Sequence, residues 1–158
     1  DITNFRLPAQ FALLVPGGAS GRKEKRWPSC GYAVLAQRLM GCGIEVYLIG
    51  DDSEGDLQHS IALAAPGVVE LAGKTDFAQI AALARCSDVA VGNDTGPMHI
   101  IASCGTPTVV LFGNASNPAL CAPRGAKVVI VEGKPHGPIK SLSGTSVWEA
   151  VQTVRSVA

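Results

Sequence analysis

Residues 10–21 read Gln10-Phe11-Ala12-Leu13-Leu14-Val15-Pro16-Gly17-Gly18-Ala19-Ser20-Gly21. Residues 10–15 are a nearly continuous apolar run. It is short and it stops at a proline and two glycines, as a parallel strand covered on both faces does. The glycine-rich stretch from Pro16 to Gly21 is a turn, and the charged stretch Arg22-Lys23-Glu24-Lys25-Arg26 follows it. Trp27-Pro28 then opens a helix, because a proline near the first helical position loses no needed N–H. Tyr32, Leu35, Ala36, Leu39 and Met40 supply its apolar stripe. Gly41 and Gly43 end it. The unit is strand, glycine loop, helix. Upstream of it, residues 1–9 read as a polar lead-in.

The same unit recurs downstream. Residues 44–49 read as a strand, and Ser53 to Ala65 as a helix closed by Pro66-Gly67. Residues 68–72 form a short strand, and Asp76 caps a helix running to about Arg85. Residues 88–92 are a strand, 96–103 a short helix, and 108–112 and 127–131 two more strands. In the last helix Ser146 and Glu149 make a capping box, with Val147, Ala150, Val151 and Val154 on the inner face. This alternation predicts an α/β fold: a doubly wound parallel sheet of about six strands, helices on both faces, in a single domain over residues 1–158.

Composition fits one such domain. The chain has 158 residues, 47% of them hydrophobic and 16% charged, which is enough to build a core. Thirteen basic residues balance thirteen acidic ones, so no basic excess marks a nucleic-acid binder. No apolar run reaches membrane-spanning length, and the first residues carry no basic or apolar leader pattern. Five cysteines form no C-x-x-C pair. Most sit in apolar stretches, so a reducing compartment without disulfides or structural zinc is expected.

In a sheet ordered 3-2-1-4-5-6, strands 1 and 4 are neighbours whose following loops diverge and leave a crevice. Those loops are Pro16 to Arg26 and Gly92-Asn93-Asp94-Thr95-Gly96-Pro97, the most glycine-rich and polar of the chain. The second leads into a helix. The amides of Thr95 and Gly96, with the helix dipole, suit a phosphate, and Thr95 adds a hydroxyl. The plain alternative is that Asp94 only caps that helix. The first loop offers Ser20, Lys23, Lys25 and Arg26; its plain alternative is a solvated charged loop, although Trp27-Pro28 would anchor it. It matches neither a Walker A loop nor the Gly-x-Gly-x-x-Gly dinucleotide fingerprint, which counts against a NAD-dependent oxidoreductase. His99, one turn into the helix, is either a capping histidine or a donor to an anion. Asp51-Asp52 after strand 2 could take ribose hydroxyls or a divalent metal. Ser103-Cys104 could only with difficulty serve as a nucleophile near His99, and His59 and His136 read as surface residues.

Three blocks carry a resemblance. They are Lys25-Arg26-Trp27-Pro28 with its following helix, Gly92-Asn93-Asp94-Thr95-Gly96-Pro97-Met98-His99-Ile100-Ile101-Ala102, and Pro107-Thr108-Val109-Val110-Leu111-Phe112-Gly113. Together they resemble the ADP-heptose:lipopolysaccharide heptosyltransferases, glycosyltransferase family 9, over roughly residues 10 to 131. The resemblance implies a GT-B enzyme of two Rossmann-like domains, of which this chain looks like the C-terminal, donor-binding one. It implies Ser20 and Lys25 on the donor phosphates, Asp52 (or Asp51) on the ribose, and Asp94, Thr95, Gly96 and His99 on the diphosphate and sugar. The family's general base lies in the other domain, so no catalytic residue is expected here, and no metal or other cofactor. The implied partners are an ADP-sugar and, through the other domain, the lipopolysaccharide core. The implied place is the cytoplasm, with a peripheral association at the inner membrane for the whole enzyme. Where the family often has Thr-Thr, this chain has Ser20-Gly21, which leaves the sugar open. A free-standing nucleoside-diphosphate-binding module without turnover is the alternative from another class.

Overall fold

The computed structural model describes residues 1–18, 23–115, 117–118, 122–133 and 137–156. Strands β1 (Phe11–Val15), β2 (Glu45–Leu48), β3 (Val69–Glu70), β4 (Val89–Asn93), β5 (Thr108–Phe112) and β6 (Val128–Glu132) form one sheet. Its order is β3-β2-β1-β4-β5-β6, and every described pairing is parallel. The crossover elements are helices α1 (Ser29–Gly41), α2 (Gly55–Ala64), α3 (Phe77–Cys86) and α4 (Gly96–Ser103); α5 (Gly144–Ser156) follows β6.

Side chains of a strand alternate between faces, so each apolar run feeds two cores. Ala12, Leu14, Val46, Leu48, Val89, Val91, Val109 and Leu111 meet residues of α1, α2 and α5 on one face. Phe11, Leu13, Val15, Tyr47, Ile49, Ala90, Val110 and Phe112 meet residues of α3 and α4 on the other. That is why the strands read as unbroken hydrophobic stretches. β1 sits centrally, paired with β2 on one side and β4 on the other. The loops after β1 and β4 therefore part company at the carboxyl edge of the sheet.

Several boundaries differ from expectation, and each time a cap decides. A helix was expected from Ser53. Instead Asp51 and Glu54 make a reciprocal capping box around a 3-10 turn over Asp52–Glu54, and α2 starts at Gly55. Ser146 was expected to cap the last helix. That helix begins at Gly144, and the Ser146 N–H donates to Ser143 Oγ (3.1 Å), so Ser143 supplies the cap. The short strand expected over 68–72 pairs only through Val69–Glu70, and the charged loop contains a 3-10 turn, Lys23–Lys25.

Candidate functional site

At the carboxyl edge of β1, β2 and β4 lies a cavity of about 510 Å³. It is lined by Lys25, Asp94, Thr95, Gly96 and His99 and by the apolar residues Ile49, Phe77 and Ile80. The topological switch point and the two glycine-rich loops thus enclose the same space.

The loop after β1 is placed by its neighbours. Asn93, at the end of β4 and wholly buried, donates from Nδ2 to Pro16 O (2.8 Å) and Gly17 O (2.9 Å). Its Oδ1 accepts from the Trp27 N–H (3.0 Å) and the Tyr32 hydroxyl (2.8 Å). Burial pushes the Tyr32 phenol well above its usual range, so it stays protonated and donates. Trp27 is buried; its indole N–H donates to Leu142 O (3.1 Å), and its ring meets Tyr32 edge-on at 5.2 Å. The expected Trp-Pro anchor is therefore present. Arg26 Nη2 donates to Gly18 O (2.9 Å).

Asp94 does not cap α4. The cap position belongs to Thr95, whose side chain makes no capping bond. The Asp94 carboxylate lies 4.0 Å from Lys25 Nζ and 3.4 Å from His99 Nε2. It thereby links the two loops across the crevice. Thr95 and Thr75 line the cavity, and their buried hydroxyls have no hydrogen-bond partner among the described residues. Gly96 opens α4, so the positive end of its dipole faces the same space.

Of the residues singled out from sequence, the structure brings Lys25, Asp94, Thr95, Gly96 and His99 together. Ser20 lies outside the described residues. The loop after β2 contributes Asp51 to the cavity wall. Asp52 is exposed, with its carboxylate against Gly73 instead. Asp51 Oδ1 already accepts the Ser53 N–H (2.9 Å). Ser103 donates its hydroxyl to Ile100 O (2.7 Å), a bond within its own helix. His59 is exposed and 3.6 Å from Glu70; His136 lies outside the described residues.

Sequence reading missed Glu54, Thr75 and Phe77 as cavity residues, and Asn93 as the hub behind them. Glu54 is 7% exposed; it accepts the Gly18 N–H (3.0 Å) and the Asp51 N–H (3.1 Å). Burial raises its pKa, with help from the Asp51 charge; those two amides and Arg26 oppose the rise. Asp51-x-x-Glu54 is a capping-box spacing, and that signal was available. Phe77 is 66% exposed, unusual for so large an apolar ring. Among the described residues no group of three or more His, Cys, Asp or Glu could hold a metal ion, and no helix is long and apolar enough to cross a membrane.

The family model described as glycosyltransferase family 9 (heptosyltransferase) matches residues 3–151. Lipooligosaccharide heptosyltransferase 2 of Haemophilus influenzae is 36% identical over 120 residues, which cover 72% of this chain and 34% of that protein. The solved structure of E. coli ADP-heptose lps heptosyltransferase II superposes with a TM-score of 0.88 at 26% identity, covering 99% of this chain and 50% of that one. E. coli heptosyltransferase WaaC with ADP shares the fold, with a TM-score of 0.81 at 22% identity over 94% of this chain and 45% of that one. The chain thus spans about a third of its sequence relative and about half of the solved chains. The six-stranded parallel sheet with its flanking helices is the fold found in half of those GT-B structures.

Proposed function

The chain belongs to glycosyltransferase family 9, the heptosyltransferases, and on that premise we propose that it is the donor-binding half of an inverting sugar transferase. The donor is ADP-heptose or a related ADP-sugar, and the acceptor is the lipopolysaccharide core, held by the half not present in this chain. The whole enzyme works in the cytoplasm, at the inner face of the inner membrane. The observation that carries this reading is the cavity, whose lining combines a cation, the N-terminus of α4 and apolar side chains.

The arrangement suits an amphipathic ligand with a charged middle. A diphosphate lies between Lys25 and the start of α4, where Thr95 and Gly96 offer amides and Thr95 its unpaired hydroxyl. The base rests toward Ile49, Ile80 and Phe77, and the ribose toward Asp51. Asp94 and His99 face the sugar side. In transfer, a carboxylate from the other half takes the proton of an acceptor hydroxyl. That oxygen attacks the anomeric carbon as the bond to the diphosphate breaks. Lys25 and the α4 dipole hold the leaving negative charge, which is what lowers the barrier.

Calorimetric titration of the chain with ADP, GTP and NAD tests the reading. ADP should bind tightest. At a hundred times its Kd, ADP should add roughly 2.7 kcal/mol of stability in a melting experiment. GTP or NAD binding as tightly as ADP would remove the adenine-sugar part of the proposal. No binding by any of the three would remove the donor site.

A further inference from the structure

Gly18 lines the cavity and has no side chain to anchor it, so other residues must fix where the backbone of Pro16 to Gly18 lies. On the β4 side, Asn93 takes Pro16 O and Gly17 O, and Arg26 takes Gly18 O. The tie on the β2 side is Glu54. One carboxylate oxygen accepts the Gly18 N–H (3.0 Å) and the other the Asp51 N–H (3.1 Å). A Cβ on Gly17 or on Gly50 would overlap that carboxylate. The glycines that follow β1 and β2 thus form a cradle shaped to it.

A buried carboxylate is an expensive way to fill such a space. Burial raises its pKa here, as expected of a group held against its solvation preference. What the carboxylate does that an apolar side chain cannot is accept one amide from each of two loops. Resting on the reading of the cavity as a diphosphate site, we propose that Glu54 is a positioning residue, a strut that joins the loop after β1 to the loop after β2 and sets the spacing at which Lys25 and the α4 N-terminus meet a diphosphate. It acts through the Gly18 and Asp51 amides, and the phosphate feels only the loop position they impose.

The test uses the 158-residue chain, Glu54→Gln, Gly17→Ala and the double variant, with ADP and adenosine as probes. Gln places an NH2 against one of the two amides; Ala at 17 evicts the carboxylate without altering it. Hydrogen exchange of the Gly18 amide without ligand should accelerate in every variant. ADP affinity should fall roughly tenfold, which is about 1.4 kcal/mol of lost contact, while adenosine, which lacks the phosphates, should bind as it does to the wild type. The double variant should be no worse than the worse single one, because both substitutions cut the same tie. Should Glu54→Gln not fold, Gly17→Ala carries the same comparison. If Glu54 only supported the fold, melting temperature would drop and the ADP Kd of the folded protein would hold, or ADP and adenosine would weaken equally. Either result, with wild type still binding ADP, overturns the strut alone. Wild type that fails to bind ADP overturns the donor-site reading and the strut with it.

Discussion

Lys25 and Asp94 reach from separate loops to within 4.0 Å of each other, and His99 closes on Asp94 from the other side at 3.4 Å. A diphosphate entering here competes with Asp94 for Lys25. A charge-assisted bond to phosphate is worth about 1.5–3 kcal/mol. Lys25→Ala should therefore weaken ADP binding about tenfold to a hundredfold on that scale, with little change in melting temperature; unchanged affinity would mean the first loop does not contact the ligand. Because Asp94 caps nothing, Asp94→Asn should leave stability nearly intact and weaken an ADP-sugar more than ADP. Glu54 makes a separate prediction about pH. Its folded pKa is raised, chiefly by burial. The folded state then holds the proton more tightly than the unfolded chain does, so Glu54's contribution is full below its unfolded pKa and is lost as pH rises through its folded pKa. Denaturant titrations across that window should show the stability difference moving in favour of Glu54→Gln as pH rises. A difference independent of pH would contradict the raised pKa. The charged residues of the cavity were legible in the sequence because glycine loops at a switch point announce themselves. Asn93 was not, because a residue that bonds backbone 76 and 77 positions away leaves no local spacing to read; the Asp51-x-x-Glu54 spacing gives the cap but not the bond to Gly18, 36 positions away.

α4 lies close on the sheet because residue 92 has no side chain. A Cβ there would stand 2.6 Å from Met98 Sδ and 2.8 Å from Val15 Cβ. Gly92→Ala should destabilise by about 1–3 kcal/mol, the usual cost of overpacking, and should weaken ADP binding as well, since it moves the helix end that faces the phosphate. Thermal melting and a binding titration of the same variant check both halves; a stable variant with normal affinity would show that α4 can shift without consequence. The strands were readable from their apolar runs and the helices from their stripes, since both follow from burial on two faces. The starts of α2 and α5 were misread for one reason. Serine and aspartate cap from several nearby positions, and only the folded backbone selects Asp51 and Ser143.

The sheet order β3-β2-β1-β4-β5-β6 puts both ligand loops on one edge and leaves the cavity open beyond them. The proposed donor chemistry needs a second half to bring acceptor and base to that opening. The chain alone should bind ADP and ADP-heptose but transfer no sugar, and transfer by the purified chain to a lipopolysaccharide core acceptor would contradict the division of labour. Strand order was legible because the alternation of strand and helix admits few topologies. The apolar wall was not, since Phe77 reads as an ordinary first-turn residue of α3 until the fold leaves its ring 66% exposed at the cavity. The central claim is that this cavity is a nucleoside-diphosphate site, and a crystal structure of the chain with ADP tests it most directly. The account predicts the diphosphate between Lys25 Nζ and the first turn of α4, with the base toward Phe77. ADP bound elsewhere, or with its diphosphate away from Lys25 and α4, would contradict it.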